Sequence, residues 1–530
     1  MKGIFIISLL LSVGLLSACD DMLDMTPENS LTFKNAYETE KDIESAVRLC
    51  AQKLRDVVGV DGNIGLGTVL DSTIYSDYEG QRNLRPQFVR ESDWFLWYEL
   101  IGATNVVIKY TDQIDASRER KDYYLGQGHF YRAFAYFQIV QGWGDCVIVG
   151  LDADMEIVRP QSPWVEVIDY AINEAREAVR LLPEYDKVKN SSGNSPLYKN
   201  EPCKGAANAL LAYLCAWKAG GKYYARPDLQ GYDENDLWRE AEQACTAIIG
   251  SETGKAGGIY QLVENPEAVI NKVFKGNSSE SVFELQYDPY WDEIERNENY
   301  KYYKTAGDGR AARYCTWLQY MRFYGLGLDC IKEQRTMVKA ERIKEMYPKG
   351  DLRRESYFWK LDSMSHDTLL NVTGGFAYPY AFRDMRTFTS GDDKGKFAHF
   401  DCNYTFWRLA DIHLLRAECR VRLNKEAEAI ADLNEVRKRA NAKLYDPAEY
   451  NGDLRYAIFK EREKELFFES HRYFDIIRNG ADYVRKELDP GFAEASDQDF
   501  IDGCFFYALK ETAFGRNTGL RQNTWWNRYL

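Results

Sequence analysis

The segment EREKELFFESHRYFDIIR, Glu461 to Arg478, has the residue types and spacing for acid–base chemistry. It holds five carboxylates, three arginines and a histidine in eighteen residues. Glu461, Glu465 and Glu469 step by four, and Arg472, Asp475 and Arg478 by three, so a helix would gather them on one side. Two carboxylates about 5–9 Å apart can cleave a glycosidic bond, which makes a hydrolase the first chemistry to weigh. Three features oppose it. The same stretch carries Leu466, Phe467, Phe468, Phe474, Ile476 and Ile477, so apolar contacts surround it. A catalytic pair is usually presented from different elements over an open cleft. Neighbouring arginines would hold both carboxylates ionised, whereas a general acid needs a raised pKa. The segment reads as a structural salt-bridge helix with His471 on its surface, and no catalytic residue is assigned.

Other chemistries leave no mark. No GxSxG elbow, GxxxxGK[ST] loop, dinucleotide fingerprint or HExxH pair occurs. The five histidines are scattered, so no metal and no cofactor is expected. None of the eleven cysteines forms a CxxC pair, and Cys203, Cys215, Cys245 and Cys419 sit in apolar patterns as small core residues. A net charge of −14 argues against nucleic acid as a partner.

The elements that must position these residues read as helix after helix. Ala36 to Asp56 puts Ile43, Val47, Cys50 and Leu54 on one face, and Trp94, Trp97, Tyr98 and Ile101 recur at i, i+3, i+4, i+7. Further helices are predicted over Tyr123–Trp143, Trp164–Leu182, Ala206–Trp217, Trp238–Ile249, Trp407–Leu423, Glu426–Ala440 and Leu454–Ile477. Alanines at 206, 209, 212, 216, 427, 431 and 440 supply small positions where helices can approach. The pairs look tetratricopeptide-like without a strict 34-residue period. Between about Ser251 and Phe400 helical periodicity weakens and aromatics crowd into polar surroundings, as in YDPYWDEIERNENYKYY, Tyr287 to Tyr303. Loops of that length are usually functional, and their aromatic content argues against disorder.

At the N-terminus, Lys2 precedes an apolar run from Ile4 to Leu16, too short for the ~20 residues of a membrane span and shaped like a secretory signal. LLSAC resembles the lipobox of bacterial lipoproteins. It implies a signal over residues 1–18 and lipidation of Cys19, so that acyl chains anchor the mature chain to a membrane. Asp20 and Asp21 resemble either a retention or a surface-export signal.

Four blocks resemble the SusD/RagB family. LGQGHFYRAFAYFQIVQGWGDCVIV (Leu125 to Val149) is similar to its signature helix, with an Arg-Ala-Phe core and a Trp-Gly-Asp turn. WRLADIHLLRAECRVRLNKEAEAIADLNEVRKRA (Trp407 to Ala440) is similar to its Arg-x-Ala-Asp, Leu-Leu-x-Ala-Glu and Asn-x-Val-Arg-x-Arg run. Glu461 to Arg478 resembles its charged helix, and LRQNTWW (Leu520 to Trp526) its C-terminal Gln-Asn motif. YALKET (Tyr507 to Thr512) departs from the family's Pro-Ile-Pro turn. The resemblance implies a mainly α fold, a SusD-like superhelix of tetratricopeptide-like pairs with a loop-rich ligand-binding half. It divides the chain into an N-terminal region at 19–250 and a C-terminal region at 251–530, with a loop-rich insertion at 251–400 and helices at 407–478, packed as one unit. It further implies a surface-exposed, lipid-anchored protein of the cell outer membrane that binds oligosaccharide or polysaccharide without cleaving it and works with a SusC-like TonB-dependent transporter.

Sugar capture needs broad apolar faces with polar tips, which Tyr and Trp provide at little cost in rotamer entropy. The glycan-binding candidates are Asp71, Tyr75, Tyr78 and Arg82 in LDSTIYSDYEGQR, then Trp94, then Tyr290, Trp291, Tyr300, Tyr302 and Trp317 in the middle insertion. Trp97 is assigned to the core. A helical surface glycoside hydrolase, a protein-binding scaffold and a peptide-binding relative are the alternatives.

Overall fold

The computed structural model describes residues 36–61, 91–92, 94–151, 158–250, 258–286, 338–366, 375–381, 383–387, 394, 397–400, 402–467, 469–488 and 494–528. The apolar stripes read from sequence become helices α1 (Glu40–Asp61), α2 (Phe95–Tyr110), α3 (Arg118–Trp143), α4 (Trp164–Leu181), α5 (Lys204–Gly221) and α6 (Glu234–Ile249). Each packs against the next in chain order, and α6 packs in turn on α7 (Leu409–Arg422). From α7 the chain continues through α8 (Glu426–Arg439), α9 (Leu454–Glu465), α10 (Arg472–Asn479) and α11 (Ala481–Glu487). This is a mainly α superhelix of stacked pairs, in which neighbours bury a continuous core without a large sheet. Among the described residues no helix is long and apolar enough to cross a membrane.

Local chemistry explains the joints. Ser117 caps α3 by accepting from the Arg120 N–H at 3.3 Å, and Asp233 caps α6 by accepting from the Asn235 N–H at 2.9 Å. The Trp-Gly-Asp turn is a helix-to-helix connector. Gly144 ends α3 at φ +78°, and Asp145 Oδ1 accepts from the Trp164 N–H at 2.8 Å where α4 begins. At the end of α5, Gly220 lets the backbone of Arg478 pass so close that an added Cβ would lie 2.1 Å from its carbonyl oxygen.

The described strands are short and paired: β1 (Glu91–Ser92) with β8 (Ala508–Leu509) in parallel, and three antiparallel pairs. These are β2 (Ser281–Leu285) with β7 (Tyr404–Arg408), β3 (Val338–Lys339) with β4 (Phe376–Ala377), and β5 (Met385–Thr387) with β6 (Phe397–Phe400). Trp407, expected to open a helix, instead pairs with Phe283 in the β2–β7 ribbon, and α7 starts two residues later. The ribbon lies on α3. Phe134 meets Phe406 edge to face at 4.9 Å, and Phe130 meets Phe283 likewise at 4.9 Å. Each such buried ring contributes about 1.5–3 kcal/mol. One apolar core therefore runs from Ile43 to Trp526, joining the first helix to the last residues described. A smaller core, around Ile343, Tyr347 and Phe358, receives Phe467.

Candidate functional site

The charged segment is not one helix. Helix α9 stops at Glu465, and α10 starts only at Arg472. Ser470 adopts φ +64°, which no helix can propagate. Nor do its charges sit on a surface beside one another. Glu461, Glu465, Glu469, Arg472, Asp475 and Arg478 are all buried, and nearly all their partners come from other elements. Arg408, the last residue of β7, places Nη1 2.7 Å from Glu465 and 2.8 Å from Glu280, and Nη2 2.7 Å from Glu469. Arg353 meets Glu461 at 2.7 Å, Asp351 at 2.7 Å and Glu465 at 3.2 Å. From α8, Arg437 meets Glu461 at 2.8 Å, and Arg439 donates to Glu465. Arg462 bridges Asp411 and Asp475, each at 2.8 Å, and Arg478 meets Glu418 at 2.6 Å. Arg472 reaches Glu487 at 2.8 Å. Within one helix of the segment, Asp475 pairs with Arg478 at 2.7 Å.

The charged positions of two signature blocks, Trp407 to Ala440 and Glu461 to Arg478, thus interlock between β7, α7, α8, α9 and α10. Sequence spacing hides this, because Arg353 and Glu465 lie 112 residues apart. Glu280, Asp351 and Arg353 sit in unremarkable local sequence and carried no signal of their role.

The electrostatics bear on acid–base work. Burial would raise the Glu461 carboxyl, but Arg353, then Lys464 and Arg437, bring it down to about 2. Burial likewise opposes ionisation of Glu465, and Arg439, Arg408 and Arg353 overcome it, leaving its pKa below the usual range. Glu469 differs from the expectation that both acids stay low. Its burial outweighs Arg408, and with Glu465 adding repulsion its carboxyl is raised. A raised carboxyl suits a general acid, yet Glu469 is only 7% exposed. Arg408 grips both of its oxygens, Nε to Oε2 at 2.8 Å and Nη2 to Oε1 at 2.7 Å. His471 is half-buried, not on the surface, with Nδ1 3.3 Å from the Tyr213 hydroxyl. Burial lowers its pKa below the ordinary imidazole value.

Among the aromatic candidates, Trp94 and its surroundings are described. Trp94 is only 5% exposed, packed edge-on to Tyr98 at 5.5 Å and tilted against Trp143 at 6.2 Å. Trp97 is in the core. The ring presented at this corner is the next one, Phe95, 42% exposed, with the Arg516 guanidinium 4.4 Å above its centre. Phe95 lies one residue off the apolar stripe of α2, and a helical projection could have found it. Residues of the C-terminal motif hold the corner. Gln522 pairs with the Leu509 backbone like an extra strand, accepting from its N–H and donating to its carbonyl, both at 2.9 Å. Trp526 Nε1 donates to the Phe506 carbonyl at 2.8 Å. Cys19, Asp71, Tyr75, Tyr78, Arg82, Tyr290, Trp291, Tyr300, Tyr302 and Trp317 lie outside the described residues.

Comparison with known proteins agrees with this frame. The family model described as the SusD family matches residues 288–527, and that described as starch-binding associating with outer membrane matches residues 66–214. SusD-like protein P25 of Formosa agariphila is 24% identical, over 87% of this chain and 87% of its own. A SusD-like protein of Bacteroides ovatus is 23% identical, over 87% and 80%. Among solved structures, a SusD homolog from Bacteroides thetaiotaomicron superposes with a TM-score of 0.71 at 18% identity, covering 93% of this chain and 99% of that one. NanU of B. fragilis superposes with a TM-score of 0.64 at 19% identity, covering 94% and 99%. With its signature charges accounted for and both halves matched, the chain belongs to the SusD/RagB family.

Proposed function

We propose that this protein is a non-enzymatic, cell-surface glycan-binding lipoprotein of the outer membrane. It captures oligosaccharides and hands them to a SusC-like TonB-dependent transporter, with lipidated Cys19 as its anchor. The observation that carries the reading is the pair of family matches, one of them to a family described as starch-binding and associated with the outer membrane. Support comes from the site: the densest acid cluster is closed over by arginines, and the corner below α2 offers an aromatic ring under a guanidinium. The aromatics of the two loops, with Tyr290, Trp291 and Trp317 foremost, complete the platform.

Binding and product release on a panel of glycans test the reading. Capture without shortening of the oligosaccharide is expected, and affinity should fall in Tyr290→Ala, Trp291→Ala and Trp317→Ala while helical content holds. Release of shortened product would instead establish a hydrolase. Association with the transporter but affinity for no glycan would establish a scaffold.

A further inference from the structure

A cleft of about 530 Å³ opens between α1 and α3, within the ~300–1,000 Å³ usual for small-molecule sites. Its lining is built from described residues, and none of them is among the aromatics put forward above. Its floor holds Gln127 and Tyr131, four residues apart on α3 and hence on one face. They are 2% and 1% exposed, yet among the described residues neither side chain has a hydrogen-bond partner. Neither group is among the sealed, unpaired polar atoms of the structure, so the amide and the phenol open on the cleft, where a ligand or water can bond to them.

The walls narrow the class. Tyr123 donates to Glu201 Oε2 at 2.6 Å, which leaves Oε1 as an acceptor. Asn200 donates to Gln286 at 3.3 Å, leaving its own carbonyl and the Gln286 amide. Two carboxylates, Glu44 and Glu201, face two guanidiniums, Arg48 and Arg55, and Arg48 is already paired with Glu44. A lining so balanced does not select a charged ligand. Tyrosine rings beside alternating donors and acceptors suit a ring with an apolar face and several hydroxyls.

We propose that the α1–α3 cleft is a second sugar subsite, taking one neutral pyranose ring with the Gln127 amide and the Tyr131 hydroxyl bonded to its hydroxyls. The proposal rests on the glycan reading for its ligand class.

The test uses the mature full-length chain, with saturation-transfer NMR and calorimetry on glucose, mannose, galactose, xylose, maltose and cellobiose, and on longer oligosaccharides. One of the small sugars should bind. Tyr131→Phe should weaken it about three- to tenfold, the worth of one neutral hydrogen bond, without lowering the unfolding midpoint. Gln52→Trp, an exposed change at the rim, should abolish it, and Trp291→Ala with Trp317→Ala should leave it in place. Longer glycans binding with a stoichiometry that Gln52→Trp does not alter would overturn the cleft alone. Binding of no sugar of any length would overturn the glycan reading and the cleft together. Preference for an acidic sugar or a peptide in the cleft would overturn the assigned class.

Discussion

Glu465→Gln is the sharpest probe of the charge knot. The carboxylate is 0% exposed and faces three guanidiniums, Arg353 at 3.2 Å, Arg408 at 2.7 Å and that of Arg439. The amide keeps the volume but removes the charge and points an NH2 group at one of the arginines. Breaking a buried pair from one side leaves an uncompensated buried charge and costs about 3–5 kcal/mol. Domains have about 5–15 kcal/mol in total, so the loss should be visible at once. Urea unfolding followed by both far-ultraviolet dichroism and tryptophan fluorescence measures it, with agreement of the two probes checking cooperativity. Arg176→Ala is the control. Its partner is Glu240 at 2.7 Å, with the two side chains 49% and 26% exposed, and such pairs are worth about 0.2–1 kcal/mol. A loss below about 1 kcal/mol for Glu465→Gln, equal to the control, would refute the claim that this knot holds the fold. The double change Glu465→Met with Arg439→Met should cost less than the sum of the single changes, because an apolar replacement of both partners leaves no stranded charge between them.

Three further outcomes follow from named groups. The Glu461 carboxyl lies near 2 when folded against 4.5 when free, so its stabilisation of about 3 kcal/mol is complete above about pH 5 and lost as the pH falls to about 2; the acid limb of unfolding in Glu461→Gln should be flatter by that amount. Gly220→Ala drives a methyl against the Arg478 carbonyl oxygen and should cost about 1–3 kcal/mol or more by denaturant titration, with far-ultraviolet dichroism at low denaturant unchanged. Phe95→Ala removes the exposed ring under Arg516 and should weaken oligosaccharide affinity about two- to tenfold by calorimetry, with an unaltered unfolding midpoint.

Much of the frame is legible in the sequence because helix faces are local. Ile43, Val47, Cys50 and Leu54 repeat at helical steps, and all four are buried along α1. Trp97, Leu100 and Ile101 do the same on α2. The errors fall where a local pattern serves a distant contact. Phe406 and Trp407 continue the apolar run into α7, but the partner that fixes them is Phe283, more than 120 residues earlier, so they form a strand. Trp94 and Phe95 are adjacent and equally suited to a platform by type. Tyr98 and Trp143 draw the first inward, and Arg516 meets the second outside.

By itself the sequence determined the helix succession, the buried alanines 206, 209, 212, 216 and 440 and the charged signature that identifies the family, whereas Ala427 and Ala431 turn out exposed and Ala429 is the small residue buried on that helix. It also supplied the aromatic candidates Tyr75, Tyr78, Tyr290, Trp291, Tyr300, Tyr302 and Trp317, which lie outside the described residues. Tertiary structure alone decided that the signature is a buried knot and not a charged helix face. An i, i+4 rule relates residues within one helix, whereas Arg353, Arg408, Arg437 and Arg439 reach Glu461, Glu465 and Glu469 across element boundaries. The same is true of the unpartnered Gln127 and Tyr131, because an open hydrogen-bonding group is defined by what the rest of the fold fails to place beside it.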